Sequence, residues 1–211
     1  MTEEEACDWL DRHFDVPRET WGRLERYVEM LLAESDRQNL IAASTRNHVW
    51  SRHIVDSAQL LLHVPEAQGK RIWVDLGAGA GLPGMVVALL SGYHVAMIEM
   101  RRKRVAFLQD VIEALGLSDA SAIFGKVERV KAEEVGGIAA VISARAYAPM
   151  ERLIPSARHL TDSKTIWMLP KGQNYQNELE IARRLWHSEA HIEQSVTAPD
   201  SAILMLGHGK K

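Results

Sequence analysis

A glycine-rich segment that directly follows a short apolar run is the feature that most restricts how this chain can fold. The apolar run covers Ile72 to Leu76, and the sequence DLGAGAG occupies residues 75–81. Glycine lets the backbone turn sharply and approach a ligand closely, because it has no Cβ. The apolar segment from Leu82 to Leu90 then has the length of a helix, and Pro83 fits its first turn. We therefore expect a strand, a glycine loop and a helix in succession.

Short apolar runs and helical segments alternate after this loop. The sequence predicts further strands at Val95–Ile98, Ser121–Phe124, Val141–Ser143, Thr165–Leu169, Ile192–Val196 and Ile203–Leu206. It predicts further helices at Lys103–Leu115, Met150–Leu160 and Asn177–Trp186. Strands that alternate with helices indicate a doubly wound α/β fold with a mainly parallel sheet. Because no helix separates the last two strands, one of them should run antiparallel.

The part of the chain before about residue 63 has a helical pattern. Apolar side chains between Trp21 and Leu32 recur at spacings of three and four, as on one face of a helix. Ser44 and Thr45 are candidate caps for another helix, which would carry Val49 to Leu61. We therefore divide the chain into an N-terminal helical extension, residues 1–68, and an α/β domain, residues 69–211.

Composition and charge restrict where the protein works and what it binds. Cys7 is the only cysteine among the 211 residues, which excludes an intramolecular disulfide and favours a reducing compartment. The first residues are acidic, unlike a signal peptide, and the central run Met85 to Leu90 is too short to span a bilayer. We therefore expect a cytoplasmic protein without a membrane partner. The net charge of −3 disfavours a protein that coats nucleic acid, but it allows a local basic face.

Two acidic residues near the glycine loop indicate which ligand it holds. Glu99 ends the second strand, where a carboxylate can accept hydrogen bonds from both hydroxyls of a ribose. The glycines alone also match G-x-G-x-x-G, the dinucleotide fingerprint. Asp75, however, would repel a pyrophosphate bound beside it and suits a ligand with an amino group and a sulfonium. The pattern favours S-adenosylmethionine over a dinucleotide, and we expect no metal site.

Seven segments, in order from Arg37 to about Gly172, together resemble one protein family. They are QNLIA at 38–42, RHIVDS at 52–57, GLPG at 81–84, KRVAFL at 103–108, VE at 127–128, SARAYA at 143–148 and LPKG at 169–172. In this order they resemble the 16S ribosomal RNA (guanine-N7)-methyltransferases, once called glucose-inhibited division protein B. The resemblance implies a class I S-adenosylmethionine-dependent methyltransferase, with a Rossmann-like, mainly parallel seven-stranded sheet.

The resemblance also implies roles for individual residues. It places Gly77 and Leu82 at the methionine and ribose side of the cofactor, Val127 and Glu128 at the adenine, and Arg145 at the cofactor or the incoming base. The full set of expected cofactor-binding residues is Asp75, Gly77, Gly79, Gly81, Leu82, Glu99, Val127, Glu128 and Arg145. The chain departs from the family at Ile41-Ala42 in place of a threonine, at residues 99–102 in place of Asp-Ser, at Ala144 within S-R-A, and at Pro170 before the lysine.

Candidate substrate contacts come from the ends of two neighbouring strands. We expect Arg145 and Lys171, in the loops that follow these strands, to position RNA phosphate or the target base. Lys171 can equally be a solvated loop lysine. Asn39, His53 and Asp56 can line the site, although His53 and Asp56, three residues apart on a helix, can also simply bond each other.

Two further groups of side chains have competing interpretations. Basic residues 101–104 stand at the start of a helix, where the helix dipole disfavours positive charge. Their charge can be compensated by RNA phosphate or by Glu99. Alternatively, these side chains can form a solvated face. Trp73 and Trp167 lie in predicted strands, where we expect them to be core residues.

The resulting expectation is a monomeric enzyme that methylates N7 of a guanine in 16S ribosomal RNA, either naked or in the 30S particle. One alternative is a class I methyltransferase that acts on a small molecule or a protein. The other is a dinucleotide-binding module without catalysis.

Overall fold

The computed structural model describes residues 1–186 and 189–207. Seven strands form one sheet in the order β3-β2-β1-β4-β5-β7-β6. The strands are β1 (Ile72–Leu76), β2 (His94–Glu99), β3 (Ala120–Phe124), β4 (Val141–Ser143), β5 (Ile166–Lys171), β6 (Ala190–Gln194) and β7 (Ala202–Leu206). The strand order reverses beside β1, which pairs with β2 on one side and with β4 on the other. Such a reversal creates a crevice at the carboxyl ends of the strands.

The directions of the strands confirm the predicted mainly parallel α/β sheet. Strands β1 to β5 are joined by parallel pairings only. Strand β7 runs antiparallel to both of its neighbours, β5 and β6. The connection between β6 and β7 covers only residues 195–201, which is too short for the helical crossover that a parallel pair requires.

Seven α-helices surround the sheet in the part of the chain that the structure describes. They are α1 (Glu3–Phe14), α2 (Arg18–Ser35), α3 (Val55–Ala58), α4 (Gly84–Leu90), α5 (Arg102–Leu115), α6 (Met150–Ala157) and α7 (Tyr175–Leu185). Helix α4 begins two residues later than predicted, because Leu82 belongs to the glycine loop and Pro83 is the N-cap. The Leu82–Pro83 peptide bond is cis.

Strand β5 extends two residues beyond its predicted end at Leu169. Pro170 pairs with Ile203, and Lys171 pairs with Ala202. Proline has no N–H to donate to a ladder, so the local sequence argues for a strand that ends before it. The pairing with β7 nevertheless continues the strand to Lys171, which therefore lies at the end of a strand and not in a loop.

The segment between α2 and β1 is helical but irregular. It contains a 3₁₀-helix at Ala43–His48, a π-helix at Trp50–Ile54, helix α3 and a second 3₁₀-helix at Gln59–His63. The predicted cap at Ser44 or Thr45 is wrong, because the Thr45 hydroxyl donates back to the carbonyl of Ala42. The Glu3 carboxylate accepts from the backbone N–H groups of Trp50 and Ser51, both at 2.9 Å, and supplies this cap from far along the chain.

Two apolar clusters cover the two faces of the sheet. One contains Trp73 and side chains from α1, α2, α4 and α5, and the other contains Trp167 and side chains from α6 and α7. Both tryptophans are fully buried, which confirms them as core residues. The N-terminal helices thus share a core with one face of the sheet, and the division at residue 68 stays a prediction. None of the helices described is long and apolar enough to cross a membrane.

Candidate active site

The glycine loop adopts a backbone conformation that favours glycine at three positions. Gly77, Gly79 and Gly81 have φ angles of 65°, 59° and 92°, all in the left-handed region. A residue with a Cβ is strained there. The loop therefore requires glycine at these positions for its own backbone conformation. In this conformation it connects the carboxyl end of β1 to α4.

Asp75 is completely buried, and its carboxylate is bound within the protein. Its Oδ1 accepts from the Ser143 hydroxyl at 2.8 Å, and its Oδ2 accepts from the backbone N–H of Gly84 at 3.0 Å. Burial raises the pKa of Asp75 to about 7, although the hydrogen bonds from Ser143 and Gly84 lower it. The carboxylate thus ties β4 and the start of α4 to β1. Its expected contact with the cofactor stays a prediction.

Glu99 connects the end of β2 to the glycine loop. Its Oε2 accepts from the backbone N–H of Gly79 at 3.0 Å, and its Oε1 accepts from the N–H of Arg101 at 2.8 Å. The Arg104 guanidinium lies 3.7 Å from Oε2. Each carboxylate oxygen has a second lone pair, so Glu99 can still accept hydrogen bonds from a ligand.

A cavity of about 370 Å³ opens at the carboxyl ends of β1, β2 and β3. Four predicted cofactor-binding residues line it: Gly77, Glu99, Val127 and Glu128. The other five lie outside its lining: Asp75, Gly79, Gly81, Arg145 and Leu82. The last of these is buried in the apolar core. The cavity combines an acceptor carboxylate, a glycine backbone and the turn after β3, a set that fits an adenosine derivative.

A second cavity, of about 750 Å³, lies at the carboxyl ends of β4 and β5. Arg145 and Lys171 both line it, so the structure brings the two predicted substrate-positioning residues together. Lys171 also forms a short ion pair with Glu178 of α7, and its side chain is only 11% exposed. Lys171 therefore has an ionic partner, which differs from the alternative of a freely solvated loop lysine.

Tyr147 separates the two cavities and was missed by the sequence analysis. Its ring packs against Gly77, and it lines both cavities together with Ala146. Ala146 has a φ of 51°, a left-handed conformation that is uncommon for a residue with a side chain. Such strain persists where the surrounding structure fixes it, often at functional sites. The signal in the sequence was the place of Tyr147 in the SARAYA segment, two residues after Arg145.

His53 and Asp56 both contact Arg145, beside a third cavity of about 190 Å³. The Arg145 Nη1 lies 3.1 Å from His53 Nδ1 and 3.5 Å from Asp56 Oδ2. Burial lowers the pKa of His53, and together with the charges of Arg145 and Arg52 it brings this pKa to about 3. His53 is therefore neutral near pH 7. The two side chains thus both contact Arg145, which belongs to another element of the fold. The alternative in which His53 and Asp56 simply bond each other did not include this contact.

The basic cluster at residues 101–104 is compensated in part by the protein itself. Arg104 pairs with Glu99 and donates to the carbonyl of Asn39 at 3.3 Å. The Arg102 guanidinium lies 4.4 Å from the centroid of the Phe124 ring. Asn39 therefore contacts the basic cluster through its backbone, and three of the four basic side chains remain exposed.

Comparisons with known proteins show the family to which this chain is similar. The sequence model of the family described as rRNA small subunit methyltransferase G (GidB) matches residues 21–204. The chain is 44% identical to the ribosomal RNA small subunit methyltransferase G of Zymomonas mobilis, over 99% of this chain and 95% of that protein. It is 40% identical to the protein of the same name from Paracoccus denitrificans, over 90% of this chain and 96% of that protein.

Solved structures with lower sequence identity have the same fold. An rRNA methylase from Streptococcus thermophilus superposes with a TM-score of 0.53, at 16% identity, over 72% of this chain and 92% of that one. An S-adenosylmethionine-dependent methyltransferase from Methanococcus maripaludis superposes with a TM-score of 0.57, at 10% identity, over 75% and 86%. These likenesses confirm the class I methyltransferase fold.

Proposed function

Because the chain belongs to the rRNA small subunit methyltransferase G family, we propose that it transfers the methyl group of S-adenosylmethionine to N7 of a guanine in 16S ribosomal RNA. The observation that carries this proposal is the extent of the family match. It covers residues 21–204, which include every residue that lines the three cavities at the carboxyl edge of the sheet.

The cavity at the ends of β1, β2 and β3 is the proposed cofactor site. Glu99 would accept hydrogen bonds from the ribose hydroxyls, and the turn at Val127 and Glu128 would hold the adenine. Gly77 would let the backbone approach the methionine part without a Cβ in the way. When bound, S-adenosylmethionine supplies an electrophilic methyl group on a sulfonium.

The cavity at the ends of β4 and β5 is the proposed substrate site. A guanine must leave its stack to enter such a cavity. N7 carries a free lone pair, so its methylation requires no proton to be removed, and we assign no general base. The protein then contributes mainly by holding N7 in line with the methyl group. Arg145 and Lys171 are suited to hold the phosphate or the base edge in place.

A methyl-transfer assay tests the proposed substrate. Purified 30S subunits and naked 16S RNA, both from a strain without this methylation, are incubated with the protein and labelled S-adenosylmethionine. We expect label in 16S RNA and 7-methylguanosine in its nucleoside digest. Incorporation into neither RNA form, or methylation at another atom, would contradict the proposal. Label in a protein or a small molecule of a cell extract would instead support the alternative methyltransferase activity.

Calorimetry tests the proposed cofactor independently of the substrate. We expect S-adenosylmethionine to bind and NAD to give no heat of binding, because the Glu99 carboxylate lines the proposed cofactor cavity and favours a cationic ligand over an anionic pyrophosphate. Binding of NAD without binding of S-adenosylmethionine would favour the dinucleotide module.

A further inference from the structure

Arg145 is held at one edge of its guanidinium by the N-terminal helical segment. His53 comes from the π-helix at Trp50–Ile54, and Asp56 comes from α3, whereas Arg145 follows β4. His53 Nδ1 and Asp56 Oδ2 both lie within 3.5 Å of Arg145 Nη1. Three separate elements of the fold thus meet at a single nitrogen atom.

The hydrogen bonds around His53 define which of its nitrogens carries the proton. The Thr45 hydroxyl donates its one hydrogen to the carbonyl of Ala42 at 2.9 Å. The contact of 2.8 Å between Thr45 Oγ1 and His53 Nε2 must therefore be donated by Nε2–H. Nδ1 is then the unprotonated nitrogen and accepts from Arg145. The burial that keeps the pKa of His53 low agrees with a neutral ring that acts as an acceptor.

Asp56 is fixed by a second set of contacts on its other oxygen. Its Oδ1 accepts from Gln59 Nε2 at 3.0 Å and from the Thr197 hydroxyl at 3.1 Å. Gln59 Oε1 in turn accepts from the backbone N–H of Val196 at 3.0 Å. The carboxylate is therefore held from the 3₁₀-helix that follows α3 and from the loop between β6 and β7, by contacts that do not involve Arg145.

The contacts leave most of the Arg145 guanidinium free for a ligand. Within residues 1–186 and 189–207, its hydrogen bonds are all made through Nη1. Arg145 lines the proposed substrate cavity, and these two contacts do not use the donors on its Nη2 and Nε. An arginine held at one end loses less freedom when it binds a phosphate or a base.

We propose that His53 and Asp56 are positioning residues: together they fix the Nη1 edge of Arg145, so that its remaining N–H groups meet the RNA in the substrate cavity. This inference rests on the proposed function for its substrate. It makes the helical segment before β1 part of the substrate site.

Kinetics of five variants test whether His53 acts through Arg145. We expect His53→Ala to raise the KM for 30S subunits about fivefold or more, with the Kd for S-adenosylmethionine in calorimetry within about twofold of the parent. His53→Asn, whose Oδ1 replaces the Nδ1 acceptor, should restore most of the KM. In an Arg145→Ala background, His53→Ala should have no further effect on KM. The control is His48→Ala, an exposed histidine of the same segment, which should leave all values unchanged.

Some outcomes overturn the proposal. They are an equal effect of His53→Ala in both backgrounds, a parallel loss of S-adenosylmethionine affinity, and no restoration by asparagine. Histidine NMR adds a readout that does not depend on the substrate: Arg145→Ala should raise the pKa of His53, and an unchanged pKa would mean that the contact is absent. If this pKa rises but the parent protein methylates no RNA, the contact stands and the proposed function fails.

Discussion

The ring of Tyr147 lies against Gly77, so closely that a Cβ added to Gly77 would stand 2.5 Å from the Tyr147 Cδ2. Gly77 directly follows β1 and lines the proposed cofactor cavity, and Tyr147 lines both this cavity and the proposed substrate cavity. In the proposed reaction, the methyl group would move from one cavity to the other beside this pair. The two residues therefore form part of the boundary between the cavities.

The first prediction is that Gly77→Ala raises the Kd for S-adenosylmethionine about tenfold or more, equivalent to at least ~1.4 kcal/mol. Alanine at a φ of 65° is strained, by about 1–2 kcal/mol, and its methyl group would collide with the Tyr147 ring. The loop or the ring must then shift at the cavity wall. Calorimetry with S-adenosylmethionine measures the effect.

Two companion variants separate the collision from the strain. Gly22→Ala is the control, because this exposed helical glycine has no atom near the added methyl group, and cofactor affinity should stay unchanged. Adding Tyr147→Ala to Gly77→Ala should recover part of the lost affinity. An affinity of Gly77→Ala equal to that of the parent protein would show that the cofactor does not use this loop.

The order of strands and helices was predictable, because apolar periodicity is a local property of the sequence. The glycine loop, the position of Glu99 at the end of β2 and the placement of Arg145 and Lys171 at one edge of the sheet also followed from position along the chain. A side chain's partners across the fold did not. Asp75 turns toward Ser143 and Gly84, and Glu3 caps a segment more than forty residues away. Such contacts depend on the packing of distant elements, which no local pattern contains.

The second prediction concerns the charge of Glu99. Glu99→Gln keeps the shape of the side chain but removes one acceptor oxygen and the negative charge, while two backbone N–H groups still need acceptors. Hydrogen bonds to a charged group contribute about 1.5–3 kcal/mol, so we expect S-adenosylmethionine to bind about tenfold more weakly or worse. Asp110→Asn, the same change on an exposed face of α5, is the matched control. Equal affinities of the two variants would remove Glu99 from the cofactor site.

The third prediction separates two roles of Lys171. If the lysine positions RNA, Lys171→Met should raise the KM for 30S subunits about threefold or more, because a phosphate contact is lost. Glu178→Gln should lower this KM, since the lysine charge is then no longer neutralised. The control is Lys164→Met, an exposed lysine at the other end of β5.

A purely structural ion pair gives a different result. Both Lys171→Met and Glu178→Gln would then lower the free energy of unfolding by similar amounts, and neither would change the KM. Urea unfolding of the two variants, measured beside their kinetics, distinguishes the two roles.

The last prediction concerns the pH dependence of the free energy of unfolding, to which Asp75 and His53 contribute in opposite directions. The pKa of Asp75 is raised from 3.8 to about 7, so the folded protein binds more protons than the unfolded chain between these values. The stability from Asp75 is complete below its ordinary pKa and is lost as pH rises toward about 7. The pKa of His53 is lowered from 6.5 to about 3, so its contribution is present above 6.5 and is lost as pH falls.

The two contributions oppose each other in the parent protein, and single variants expose them. Between about pH 4 and pH 7, Asp75→Asn should make the slope of unfolding free energy against pH more positive, by up to about 1.4 kcal/mol per pH unit. His53→Asn should make the same slope more negative. Urea unfolding at several pH values in this window measures both slopes. Each variant also loses hydrogen bonds, so the test uses the slope and not the absolute free energy of unfolding. If both variants changed the slope in the same direction, the opposite pKa shifts of Asp75 and His53 would be contradicted.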